Sequence, residues 1–173
     1  MNTSPAPADT APQLLFRAER PEDSARIDAI IDHAFGPGRL VKAAERLRET
    51  NQPLLDISLV AWAGEEAVGC VRMWPIHVGA TPAVLLGPFA VEDAWRSRGL
   101  GSELIVKACE AAERAGHAVV LLVGDEPFFG KLDFQAAPAK RVVLPGPVNG
   151  RRVLWRALKP GALDGVEGPV AAG

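Results

Sequence analysis

Seven consecutive residues, Arg96-Ser97-Arg98-Gly99-Leu100-Gly101-Ser102, combine the types that bind an anion. Two glycines let a backbone turn and approach a ligand with no Cβ in the way. If a helix starts here, its first N–H groups lack a carbonyl within the helix, and the helix dipole adds positive partial charge. Arg96 and Arg98 bring full charges to the rim, and Ser102 brings a hydroxyl. A pyrophosphate suits such a set. A Walker-type phosphate loop needs Gly-Lys-Ser/Thr, which the chain lacks. A dinucleotide fingerprint needs a third glycine where Leu104 stands. A tight turn whose glycines serve packing alone stays open as an alternative, because Gly-x-Gly by itself is a weak signal.

Proton-transfer candidates lie further along. Asp125 and Glu126 end an apolar run and suit a general base, while Asp125 suits equally well the cap of a short helix starting at Pro127. His33, His77 and His117 read as surface or structural residues. Trp62 and Trp74 belong either to a pocket or to the core. Cys70 and Cys109 sit in apolar contexts without a Cys-x-x-Cys or His/Cys cluster, so buried thiols are expected and a metal is not.

These side chains need a strand before the glycine turn and a helix after it, and the pattern supplies both. Val84–Leu86 and Phe89–Val91 are β-rich, interrupted by Gly87-Pro88, which points to a bulge or splayed edge. A helix is expected from Gly99 to Ala115, stopped by Gly116. Val119–Val123 is wholly apolar, as in a strand covered on both faces. Upstream, Leu14–Arg17 reads as a strand, and Ile27, Ile30, Ile31 and Ala34 form one stripe of a helix. A second helix carries Leu40, Val41, Ala44 and Leu47 on one side, with Lys42, Arg46, Arg48 and Glu49 largely on the other. Ile57–Trp62 and Ala67–Val78 form a hairpin through Gly64-Glu65-Glu66, and Val142–Leu144 and Val153–Ala157 add strands.

The fold class is therefore α/β, a mixed twisted sheet of six or seven strands with about four helices in one domain. The 173 residues leave room for one sizeable core. Residues 1–13 are expected to be a mobile tail, 14–158 the domain, and 159–173 a loose Gly/Pro/Ala-rich tail. A net charge of −2 without a long basic stretch argues against nucleic acid as a partner. Neither a secretion signal nor an apolar run of about 18 residues occurs, so the expected setting is the cytoplasm, away from membranes.

Against this background the chain resembles the Gcn5-related N-acetyltransferases (GNAT). Their cofactor loop, Arg/Gln-x-x-Gly-x-Gly/Ala, is matched at each fixed position by Arg96–Gly101. Leu86–Val91 looks like that family's bulged fourth strand, and Val123–Phe134 like the strand and short helix that follow. The ending 160–166 is similar to a YhbS-like bacterial subgroup. The resemblance implies acetyl-CoA as co-substrate, with no metal, and a small-molecule or peptide amine as acceptor. It implies pantetheine beside Phe89, Ala90 and Val91, and pyrophosphate on the N–H groups from Ser97 to Ser102. Arg96 and Arg98 stand at the rim, and Phe128 and Phe129 beside the pantetheine. A backbone N–H near Phe89 polarises the thioester carbonyl, and the amine attacks directly, without a covalent intermediate.

Two departures bear on catalysis. The family's usual acid, a tyrosine, is Phe129 here, and the chain has no tyrosine at all. The glycine before the last phenylalanine is replaced by Asp133. A catalytically silent acyl-CoA-binding sensor or interaction module is therefore the alternative to an enzyme, and a nucleotide-phosphate binder a third. The acceptor and the assembly state, a homodimer included, stay open.

Overall fold

Both faces of the run Glu66–Val78 are apolar, so this segment is a strand buried from two sides. The computed structural model describes residues 12–37 and 43–173. The strands are β1 (Leu14–Ala18), β2 (Leu59–Ala63), β3 (Glu66–Val78), β4 (Thr81–Val91), β5 (Val119–Val123), β6 (Gln135–Ala136), β7 (Val142–Val143), β8 (Val153–Ala157) and β9 (Gly168–Ala172). The helices are α1 (Ser24–Phe35), α2 (Ala43–Arg46), α3 (Leu100–Arg114) and α4 (Glu126–Phe129). The main path through the sheet is β1-β2-β3-β4-β5-β8-β6, with β9 added to β3, and β7 to β9. Among the described residues there are nine strands, the seven read from the sequence and, in addition, β6 and β9, which were not legible as strands.

Side-chain alternation sorts the two layers. Ala61, Val71 and Met73 pack with Leu104, Ile105 and Ala108 of α3. Val60, Cys70 and Ala90 point the other way, onto Ile27, Ile30 and Ile31 of α1. Each of these buried isoleucines contributes about 1.5–3 kcal/mol. On the same face as Cys70, Arg72 is buried against Glu19, with Nε and Nη2 donating to its carboxylate and Nη1 donating to Asp28 Oδ1 at 2.7 Å. This guanidinium ties α1 to the sheet.

Along the mixed sheet, β4 and β5 are parallel, joined through α3, but they pair only at Val84–Val120 and Leu85–Leu121. Beyond those pairs β4 continues to Val91 and the two strands diverge. The ladder with β3 slips there: Val71 faces Phe89 while Met73 faces Leu86, so β4 carries one extra residue. Gly87-Pro88 therefore bulges a continuous strand, as the Gly-Pro step inside a β-rich run led one to expect.

The entry to α1 is held by Asp23, which accepts from Arg17 Nη1 at 2.6 Å, from Arg17 Nη2 at 3.0 Å and from the Arg20 N–H at 2.9 Å. The Arg17 hydrogen bonds hold its carboxyl below the ordinary value. A carboxyl held lower in the folded chain contributes fully above its unfolded value, and that contribution fades as pH falls through the folded one. Asp23→Asn should cost roughly 1.5–3 kcal/mol at neutral pH. It should also flatten the loss of stability at pH below about 4, where the wild-type carboxyl is being protonated. Urea unfolding across a pH series reads both. Equal acid limbs for variant and wild type would remove the pair as a source of acid sensitivity.

One expectation changes, and two reach beyond the described residues. Residues 159–173 are not loose: β9 pairs with β3 through Ile76–Ala172, His77–Ala171 and Val78–Val170, and Val166 and Val170 are buried. The glycines there serve close approach, since a Cβ on Gly168 would lie 2.6 Å from the Gly79 Cα. Of the second helix the described part is Ala43–Arg46, with Ala44 and the following Leu47 buried as expected, whereas Leu40, Val41 and Lys42 lie outside the described residues. Of the expected N-terminal tail, residues 1–11 also lie outside them.

Candidate functional site

The divergence of β4 from β5 opens a cleft, and the start of α3 stands beside it. Gly99 caps α3 with φ +81°, a left-handed conformation that favours glycine, and a Cβ there would meet nothing within 4 Å. Ser97 is also left-handed, at φ +59°. The first turn of α3 closes with the Glu103 N–H donating to Gly99 O at 3.0 Å. The N–H groups ahead of it are the ones a helix start leaves without a helical carbonyl. Gly101 is needed for packing as well: a Cβ there would lie 3.0 Å from Phe89 Cζ.

Arg96 fixes the turn to the strand before it. Its Nε donates to Val91 O at 3.2 Å, and its Nη1 meets Asp93 Oδ1 at 3.0 Å. Arg96, Ser97, Gly99, Gly101 and Ser102 line a cavity of about 380 Å³ together with Phe89, Ala90, Val91 and Phe128. Two residues of the motif turn elsewhere. The Leu100 side chain is in the core, so only its backbone is available, and Arg98 lies 5.4 Å from the Trp95 ring centroid, off the cavity wall.

A second cavity, of about 440 Å³, occupies the other side of Phe89. Leu86, Gly87 and Pro88 form its β4 wall, Leu122 to Asp125 its β5 wall, and Phe129 part of its floor. The Phe89 ring stacks on Phe128 with centroids 6.2 Å apart and meets the edge of Phe129 at 6.3 Å. Gly124 is a glycine because a Cβ there would collide with the Phe129 ring. The two cavities thus meet at one aromatic partition.

Asp125 lines the second cavity, and its side chain caps nothing: Oδ1 pairs with Arg152 Nε at 3.2 Å, while its backbone carbonyl receives the Phe128 and Phe129 N–H groups. Glu126, expected beside it in the site, is exposed and lines neither cavity, because the first turn of α4 rotates it outward. Asp133 takes φ +65°, so the chain keeps a left-handed residue where the family pattern has glycine. Trp74 is core and donates from Nε1 to Gly87 O at 2.7 Å, and Trp62 lies under Arg17, 4.4 Å from the ring centroid. His33 meets Glu92 at 3.2 Å on the surface.

Burial pushes the Cys70 thiol up to about 12 and the Cys109 thiol to about 11, so neither offers a thiolate near neutral pH. Among the described residues no cluster of three His, Cys, Asp or Glu could hold a metal, and no helix is long and apolar enough to cross a membrane.

Sequence reading missed the far wall of the second cavity. Arg48 was expected on a polar helix face, yet its side chain is 12% exposed and lines the cleft, as do Val148, Asn149 and Arg152. The loop 145–152 has no periodicity that could have announced this.

The acetyltransferase (GNAT) family matches residues 25–134. The uncharacterized N-acetyltransferase YhbS of Escherichia coli strain K12 is 30% identical over 162 residues, which cover 91% of this chain and 95% of that protein. The crystal structure of E. coli YhbS in complex with CoA aligns with a TM-score of 0.81 at 27% identity, covering all of this chain and 94% of that one. A GNAT-family acetyltransferase from Brucella melitensis, in complex with acetyl-CoA, aligns at 0.70 with 25% identity, covering 94% of this chain and 97% of the other.

Proposed function

The chain belongs to the GNAT acetyltransferase family, and from that premise we propose that it moves an acetyl group from acetyl-CoA to a primary amine by direct attack, without a covalent intermediate. One observation carries the reading: β4 parts from β5 after Leu85 beside a glycine-turned helix start. The two similar proteins solved with CoA and acetyl-CoA support it.

The residues fit the co-substrate, since the space next to Gly99 is open and α3 presents its N-terminal donors to the 380 Å³ cavity. The N–H groups from Ser97 to Ser102 hold the pyrophosphate, and Arg96 adds charge at the rim. Phe89, Ala90 and Val91 offer a strand edge for the pantetheine, with Phe128 and Phe129 as apolar wall. When bound, the thioester supplies an acyl carbon open to attack by an amine. A backbone N–H near Phe89 stabilises the developing oxyanion. Asp125 accepts the amine's proton, and Arg152 orients its carboxylate.

The departing thiolate has no tyrosine to protonate it. Phe129→Tyr should raise kcat about tenfold, less than the roughly 10²–10⁴ of an aligned acid, since a thiol already leaves acceptably. Stopped-flow release of thiol measures this, and an unchanged kcat would mean that protonation is not limiting. The phenylalanine is also the observation behind a second reading, an acyl-CoA-binding module without turnover. Mixing the protein with acetyl-CoA and a panel of amines separates the two, with thiol release read beside calorimetry of CoA binding. Binding without thiol release on any amine favours the module, and no CoA binding overturns both.

A further inference from the structure

The second cavity lies beyond Phe89 from the helix start, so in an acyl-transfer reading it is where the acceptor enters. Its described charged lining consists of Arg48, Asp125 and Arg152. Each cation is matched by a carboxylate: Arg48 Nη1 donates to Glu45 Oε2 at 3.0 Å, and Arg152 Nε meets Asp125 at 3.2 Å. Of the two carboxylates only Asp125 faces the cavity. The rest of the lining is largely apolar: Phe35, Pro88, Phe89, Pro147 and Val148 among others.

That arrangement discriminates between amines. A polyamine or aminoglycoside brings several positive charges to a cavity lined by one carboxylate and two guanidinium groups, so most of its charge would stand beside like charge. A dianionic phosphate would have to sit near Asp125. A molecule with one positive and one negative end meets a partner at each: a carboxylate at the guanidinium of Arg48, an ammonium or amine at Asp125. The spacing suits a short molecule. Arg48 Nη2 is 3.2 Å from where a Cβ on Gly87 would stand. Phe89 is the second residue after Gly87 in β4.

Resting on the acyl-transfer reading, we infer that the acceptor is a free amino acid, its carboxylate held by Arg48 and its amine directed toward Asp125 and Phe89. Arg48 is then a specificity-determining residue. Its burial makes a carboxylate contact count for more than it would in open solvent.

The test is calorimetric, so that it does not depend on turnover. The proteinogenic amino acids, each as free acid and as primary carboxamide, are titrated onto the full-length protein, with and without CoA. 1,4-Diaminobutane and a lysine-containing peptide with blocked ends serve as competitors. The expected result is that at least one free acid binds ten- to a hundredfold tighter than its amide, roughly the range of a charge-assisted hydrogen bond. That preference should vanish in Arg48→Gln and return in part in Arg48→Lys, with circular dichroism reporting the fold. Equal binding of acid and amide, preference for diaminobutane or the peptide, or no binding of any acid overturns the inference. So does an acid preference that survives in a folded Arg48→Gln. Acid preference in a protein that fails to bind CoA would instead overturn the acyl-transfer reading while leaving the cavity's selectivity standing.

Discussion

Gly99→Glu is expected to weaken coenzyme A binding by at least about a hundredfold while leaving the far-ultraviolet circular dichroism unchanged. Two physical effects add. At φ +81° a side-chain-bearing residue is strained, by about 1–2 kcal/mol. The new carboxylate would also stand where the helix start gathers positive potential, repelling the phosphates proposed to bind there. The fold is spared because a Cβ at this position meets no neighbour within 4 Å. Gly99→Ala separates the two effects: it carries the strain without the charge and should cost about tenfold or less. Calorimetric titration with CoA is the measurement. Normal binding by the glutamate variant would mean that this turn is not the pyrophosphate site.

Arg72→Met should be the most damaging single change to stability, at roughly 3–5 kcal/mol. The cost arises less from the interactions lost than from what remains, namely the Glu19 carboxylate at 5% exposure without its guanidinium. For a chain of this length the melting temperature should fall by roughly 6–20 °C. Replacing both members, Glu19→Leu with Arg72→Met, should recover most of the loss, because a buried ion pair exchanged for apolar groups is often neutral. Thermal unfolding followed by circular dichroism decides between outcomes. A single variant within about 1 kcal/mol of wild type would show that the pair does not hold α1 to the sheet. A double variant as unstable as the single would assign the loss to packing instead of charge.

Much of the scaffold was legible because its signals are local. The β-rich run from Ala67 to Val78, the apolar run Val119–Val123 and the stop at Gly116 each name an element without reference to the rest of the chain. The bulge near Gly87-Pro88 was legible for the same reason, since proline lacks the N–H that a ladder needs. β9 was not. Its glycines and alanines read as a loose tail, and only the close passage of Gly168 over Gly79 turns that composition into a requirement.

The candidate site divides along the same line. Arg96–Gly101 could be read as an anion turn because its donors are successive backbone groups, and chain order alone puts them side by side. Glu126 and Arg48 show the opposite case. Adjacent to Asp125 in the chain, Glu126 is rotated out by one helical step, while Arg48, far from it in sequence, is brought into the cleft by the turn that follows α2. Sequence by itself thus determined the strand–turn–helix that we propose as the anion cradle and the missing tyrosine hydroxyl at position 129. Only the tertiary structure decided which charged groups face the second cavity, because that wall is assembled from α2 and the turn after it, the end of β5 and the loop before β8. Such long-range contacts depend on how separate elements pack, and no local spacing encodes them.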